Sequence, residues 1–182
     1  TVKERLSKLY ENGTLGEQQL LTAVQKGWIS VEDATSIVGA ENSVELVRRA
    51  KLAELSAACA TAITAGGDVV LSGGKVGHIS LTAEDQINLT NACATVESGM
   101  DGYPYHLDGE LCTLYPASDI LAMGVAATSH KLYHTTYYNH LAAWARRCET
   151  ADELNTIIYG SELPEDLAAS MTAILSATGG EV

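Results

Sequence analysis

The sequence predicts a mainly α fold: a small N-terminal three-helix unit over residues 1–40, then a long-helix bundle over 41–182 carrying two short β-hairpins. Three observations lead there. Apolar residues recur at helical spacing over long stretches, most plainly from Pro116 to Cys148. Glycine pairs and an Asp-Gly step bound short alternating segments near 68–81 and 103–115, the pattern of hairpins. The 182 residues are 46% hydrophobic but contain no Phe, and alanine fills the helical stretches, so thin, closely packed helices are expected in place of a thick aromatic core.

Taken in order, VKERLSKLYE (residues 2–11) clusters Val2, Leu6, Leu9 and Tyr10 on one face and is closed by Asn12 and Gly13. A second helix from Gly16 to Lys26 carries Leu20, Leu21 and Val24 and stops at Gly27. Trp28 and Ile29 lead to Ser30, which has an acidic residue three positions on, so a third helix runs to about Val38. Three short helices bury too little surface to stand alone, so this unit is expected to dock on something. Gly39 to Asn42 reads as a hinge, and Ser43 caps a helix through Ala65. After Gly66 and Gly67 comes a hairpin around Gly73 and Gly74, then a helix over 82–99 opened by Thr82, Glu84 and Asp85. YPYHL and ELCTLY pair across Asp108 and Gly109, so a helix followed by a hairpin occurs twice. The long helix spans 116–148, closing helices follow at 150–158 and 164–177, and the tail TGGEV is expected to be mobile.

The long helix, about 45 Å at 1.5 Å per residue, is the element the rest is organised around. Pro116 suits its first turn, Ser118 and Asp119 its positive start, and Arg146 and Arg147 its negative end. Steps of seven from Ile120 reach Ala127, His134, Leu141 and Cys148, and Met123, His130, Tyr137 and Trp144 stand three residues beyond the first four of these, giving a mostly apolar seam. Leu121, Val125, Leu132 and Ala142 form a second stripe. Two apolar faces call for two sets of neighbours, from this chain or from copies of it.

A net charge of −12 argues against nucleic acid as a direct partner, because a polyanion rewards basic surfaces through counterion release. No apolar run of about twenty residues is present, so no membrane insertion is expected, and TVKERLSKLY lacks the apolar core of a secretory signal, pointing to synthesis in the cytoplasm. Cys59, Cys93, Cys112 and Cys148 show no CxxC spacing, and reduced thiols are expected.

The one catalytic-looking pattern is HKLYHTTYYNH, whose His130, His134 and His140 share the spacing of the zinc-protease motif HExxHxxGxxH. The general base is replaced by Lys131 and the turning glycine by Tyr137, so the chemistry fails where it is needed. On an unbroken helix the third ring points away from the first two, and packing in the helix seam is the reading favoured; only a symmetry axis along the seam would let these rings hold an ion. SGGKVGH lacks the first glycine and the final Ser or Thr of a phosphate loop, and reads as a hairpin turn. No nucleophile, base and orienting group come together, and neither catalysis nor a cofactor is expected. Tyr10, Trp28, Ile29, His130, His134, Tyr137 and Trp144 are instead candidates for protein contact, although most aromatics, Tyr103, Tyr105, Tyr115, Tyr133 and Tyr138 among them, suit a core.

YENGTLGEQQLLTAVQKGWISVEDATSIVG, residues 10–39, resembles the short XkdX-like proteins of phage tails and baseplates, matching at Tyr10, Gly13, Lys26, Gly27, Trp28, Ile29, Glu32 and Asp33. From about Lys51 to Thr178, RRAKLAELSAACATAITAG, LTAEDQINLTNACA, PYHLDGEL, HKLYHTTYYNHL and TADELNTI are similar to an uncharacterised domain of phage tail and tail-fibre-associated proteins. The resemblance implies a non-enzymatic structural part of a virion tail, at the baseplate or fibre attachment. Its implied partners are other tail proteins and copies of itself, a trimer being favoured. The alternative it leaves open is a tail-fibre assembly factor absent from the mature particle.

Overall fold

The structure, a computed structural model, describes residues 1–178, with the backbone alone at 40–42. Among the described residues it is mainly helical with two antiparallel hairpins, as the periodicity requires. The helices are α1 Val2–Glu11, α2 Glu17–Gln25, α3 Val31–Val38, α4 Ala40–Ala65, α5 Ala83–Glu97, α6 Ala117–Arg147, α7 Ala151–Thr156 and α8 Glu165–Ala177. The strands are β1 Gly67–Val70, β2 Val76–Ile79, β3 Gly102–Tyr105 and β4 Thr113–Pro116. The mobile tail expected from the sequence lies, from residue 179 on, outside the described residues.

Chain contacts divide these elements into two units. One comprises Thr1–Ala57 with Tyr138–Ala169; the other comprises Ala58–Tyr137 with the chain from Ser170 onward. The division falls inside α4, not near residue 40 as the sequence suggested. Its cause is the dock that three short helices need: Leu20, Leu21, Ala23, Ile29 and Ala34 are buried in one cluster with Leu46 of α4. Gly39, at φ 83°, ends α3 and α4 follows immediately, so the expected four-residue hinge shrinks to one residue. Ser30 Oγ accepts the Asp33 amide at 3.0 Å, capping α3 as the sequence indicated. In the same unit Arg48 donates from Nη2 to the Cys148 carbonyl (2.8 Å) and from Nε to the Ala145 carbonyl (3.3 Å), satisfying oxygens that the end of α6 leaves unpaired.

In the second unit both hairpins pack on the first part of α6. Its core joins Val69, Ile79 and Leu81 with Leu89, Ala92 and Val96 of α5, Tyr105 and Tyr115 of the second hairpin, and Ile120 and Met123 of α6. Gly66 makes the exit from α4 possible: its φ is 74°, and a Cβ there would lie 1.8 Å from the Ile79 carbonyl oxygen.

Three local expectations are corrected. Pro116 is not in the first turn of α6; it ends β4, opposite Gly102, at a sheet edge where its missing N–H costs nothing. Asp108 and Gly109 do not make a two-residue turn, since Tyr105 pairs with Thr113 and leaves His106 to Cys112 as the loop. The Asp108 carboxylate reaches instead to Ser80, accepting from its amide (3.1 Å) and its hydroxyl, so the loop is tethered to the segment after β2. The closing helix expected over 150–158 is shorter because Ile157 is extended, with ψ 119°.

Candidate functional site

The residues singled out by sequence occupy different environments. Ile29 is buried in the first unit and Tyr10 packs half-buried against the same cluster. Trp28, next to Ile29, is 57% exposed, with the Lys26 ammonium 4.8 Å from its ring centroid. Tyr137 is buried and Trp144 half-buried. Of the seven, Trp28 alone is exposed.

The histidine seam of α6 finds its neighbour within the chain. His130 Nε2 lies 2.9 Å from the Ala62 carbonyl, which can only accept, so this nitrogen carries the proton. The Cys59 thiol donates to the His134 carbonyl at 3.4 Å, and the two imidazoles meet edge to face with centroids 4.5 Å apart. Burial, followed by the neighbouring His130, holds His134 below the ordinary histidine range. Among the described residues no three His, Cys, Asp or Glu side chains come together as metal ligands. A cavity of about 290 Å³ borders Asp68, Ser129 and His130. These three side chains are not hydrogen-bonded to one another among the described residues, and Asp68 Oδ1 is 2.8 Å from His78 Nδ1.

Two polar anchors fix the first hairpin. Asp119, in the first turn of α6 and 6% exposed, accepts from the Ser72 amide (2.8 Å) and hydroxyl (2.9 Å), holding the turn between β1 and β2 on the helix start. His78 of β2 lies 2.8 Å from Asp68 and 2.9 Å from the Ala65 carbonyl at the end of α4. Both partners are acceptors, which calls for a proton on each ring nitrogen, and the Asp68 bond followed by the Ala65 carbonyl raises the His78 pKa. All four cysteines are free thiols, Cys112 exposed and Cys59 and Cys148 buried.

In the second unit a groove of about 810 Å³ lies between α5 and α6. Its floor is narrow because Gly124 lets α6 approach Cys93, where a Cβ would sit 2.6 Å from Sγ. The Cys93 thiol donates to the Ile120 carbonyl at 3.6 Å, and Lys131 donates to Gln86 Oε1 at 2.7 Å, so the two helices run antiparallel. Burial, then nearby Glu97, pushes the Cys93 pKa up and keeps it a poor nucleophile. The rim carries Leu121 and Val125, the latter 67% exposed. These belong to the second apolar stripe of α6, so the signal for this surface was present in the sequence, although no residue of it was singled out.

Residues 47–158 match the family model described as Domain of unknown function (DUF4376). The match covers more than half of the chain, which belongs to this family. It takes in most of α4 and the whole hairpin-bearing segment through α7, and leaves out α1 to α3. No curated protein and no solved structure is significantly similar to the chain.

Proposed function

We propose that this protein is a non-enzymatic structural component of a phage or phage-like tail, at the baseplate or fibre attachment, held in place through its N-terminal helices. The observation that carries the reading is Trp28. It sits in the KGWI segment that resembles XkdX-like tail proteins, and it projects 57% exposed from a unit whose core buries the adjacent Ile29. A large aromatic exposed beside a cation is suited to anchoring a protein contact. Multiplication by symmetry is part of this reading. A trimer is the multiple favoured by the resemblance; α4 covers the seam of His130 and His134, so the symmetry axis that would let these rings hold an ion does not run there.

The test is incorporation into particles. Trp28→Ala should leave folding intact and reduce the chain recovered with purified tails by about tenfold or more, the effect of losing a hot-spot aromatic. Wild-type recovery of that variant sinks the reading. A wild-type chain missing from finished particles by mass spectrometry, yet required for their assembly, selects the transient assembly-factor alternative.

A further inference from the structure

We propose that the α5–α6 groove is an isologous interface, closed by a second copy of the same chain packed antiparallel across a twofold axis at Val125. The inference is independent of the tail reading, since it concerns what meets this groove in any setting. Its basis is the placement of charge. Of the described side chains bordering the groove, Glu97 and Lys131 alone are charged, and they stand at opposite ends. Lys131 lies beside Gln86, and Glu97 is eleven residues further along α5, about 16 Å at 1.5 Å per residue. The contact of Cys93 with Ile120 and Gly124 fixes the helix register and places Glu97 level with about residue 119 of α6. Val125 therefore falls midway between the two charges.

A twofold operation through that midpoint brings each Glu97 to the other copy's Lys131 and sets the two Val125 side chains against each other. Leu121 and Val125 form an exposed apolar ridge, and the small residues Ala94 and Gly124 beside it leave room for the two ridges to pack closely side by side. The net charge selects the occupant. Copies of a chain at −12 repel one another over most of their surface and can meet only where a face is locally neutral and self-complementary. A basic partner could pair Glu97 but would face Lys131 unpaired, whereas a second copy pairs both.

Sedimentation of the full chain tests this. A dimer of the 19.2 kDa chain is expected in reversible equilibrium with monomer. Val125→Asp sets two like charges together at the axis and should weaken it by about a hundredfold, while circular dichroism and the melting temperature of the monomer stay close to wild type because Val125 is exposed. Glu97→Lys and Lys131→Glu each turn two opposite-charge contacts into like-charge ones and should each weaken the dimer by about tenfold, with the double variant restored to near wild-type affinity. A monomer up to about millimolar concentration, a trimer, or a dimer indifferent to Val125→Asp overturns the interface. A double charge-swap variant no tighter than the single ones overturns its antiparallel sense.

Discussion

The two parts of α6 share one helix and one sequence period but differ in what covers them. In the C-terminal part, His140, Leu141, Ala142 and Ala145 are all buried, so both apolar stripes are occupied. In the N-terminal part Ile120 and Met123 of the seam are fully buried, while Leu121 and Val125 of the other stripe stay in contact with water. An apolar stripe thus states a demand for burial, and neighbouring elements decide whether the chain meets it alone. Where two short hairpins and α5 stand in for a further helix, one side of α6 is left over.

The largest effects should come from positions buried in either part. Leu141→Ala, at a side chain with 0% exposure, should cost about 3 kcal/mol and lower the melting temperature by roughly 6–12 °C in a scanning calorimeter. Met123→Ala should cost a similar amount, because the seam is equally dry at both ends. Asp119→Ala removes two hydrogen bonds to Ser72 and a charge suited to the helix start, for a loss of about 2 kcal/mol by urea denaturation. The second stripe separates the two parts most directly. Ala142→Leu should overpack its site at a cost of about 1–3 kcal/mol, whereas Val125→Leu should change monomer stability by less than about 0.5 kcal/mol. Equal costs for that pair would erase the distinction between the two parts.

The smallest expected effect is a pH dependence with opposing signs. The raised His78 pKa means that its contribution is fully present below the unfolded value of 6.5 and fades as pH rises through the folded value. Asp68 and the Ala65 carbonyl hold that proton directly, and Asp108 adds attraction from the loop after β3. The lowered His134 pKa works the other way, giving stability present above 6.5 and lost as pH falls through the folded value. Each variant should therefore expose the other group. His78→Gln should gain stability as pH rises from about 5 to 7, and His134→Gln should lose it as pH rises from about 6 to 8, both followed by thermal melts in matched ionic strength. Parallel profiles for the two variants would contradict the opposite surroundings of the two rings.

Much of the fold could be read from residue order. The Thr82 cap, the glycines after Ala65 and the alternating segments around Gly73 placed α5 and the first hairpin within two residues, since these signals act through the nearest few peptide units. The second hairpin was less legible because Asp108-Gly109 mimics a tight turn. The bond that overrules it joins Asp108 to Ser80, a residue 28 positions away. The contact candidates were legible only in part. Trp28 and Ile29 are adjacent and both apolar, and nothing local says that one faces the Leu20 cluster and the other faces water.

Sequence alone determined that this chain is helical, that its long helix has two greasy sides, and that three short helices at its start need a dock. Each follows from periodicity, capping and the area that small elements can bury. Tertiary structure decided which side is left open. His130 meets α4 through the Ala62 carbonyl, and Gly124 draws α5 close enough to form a groove without filling it. Such choices turn on pairings between residues far apart in the chain, whose distances no local pattern encodes.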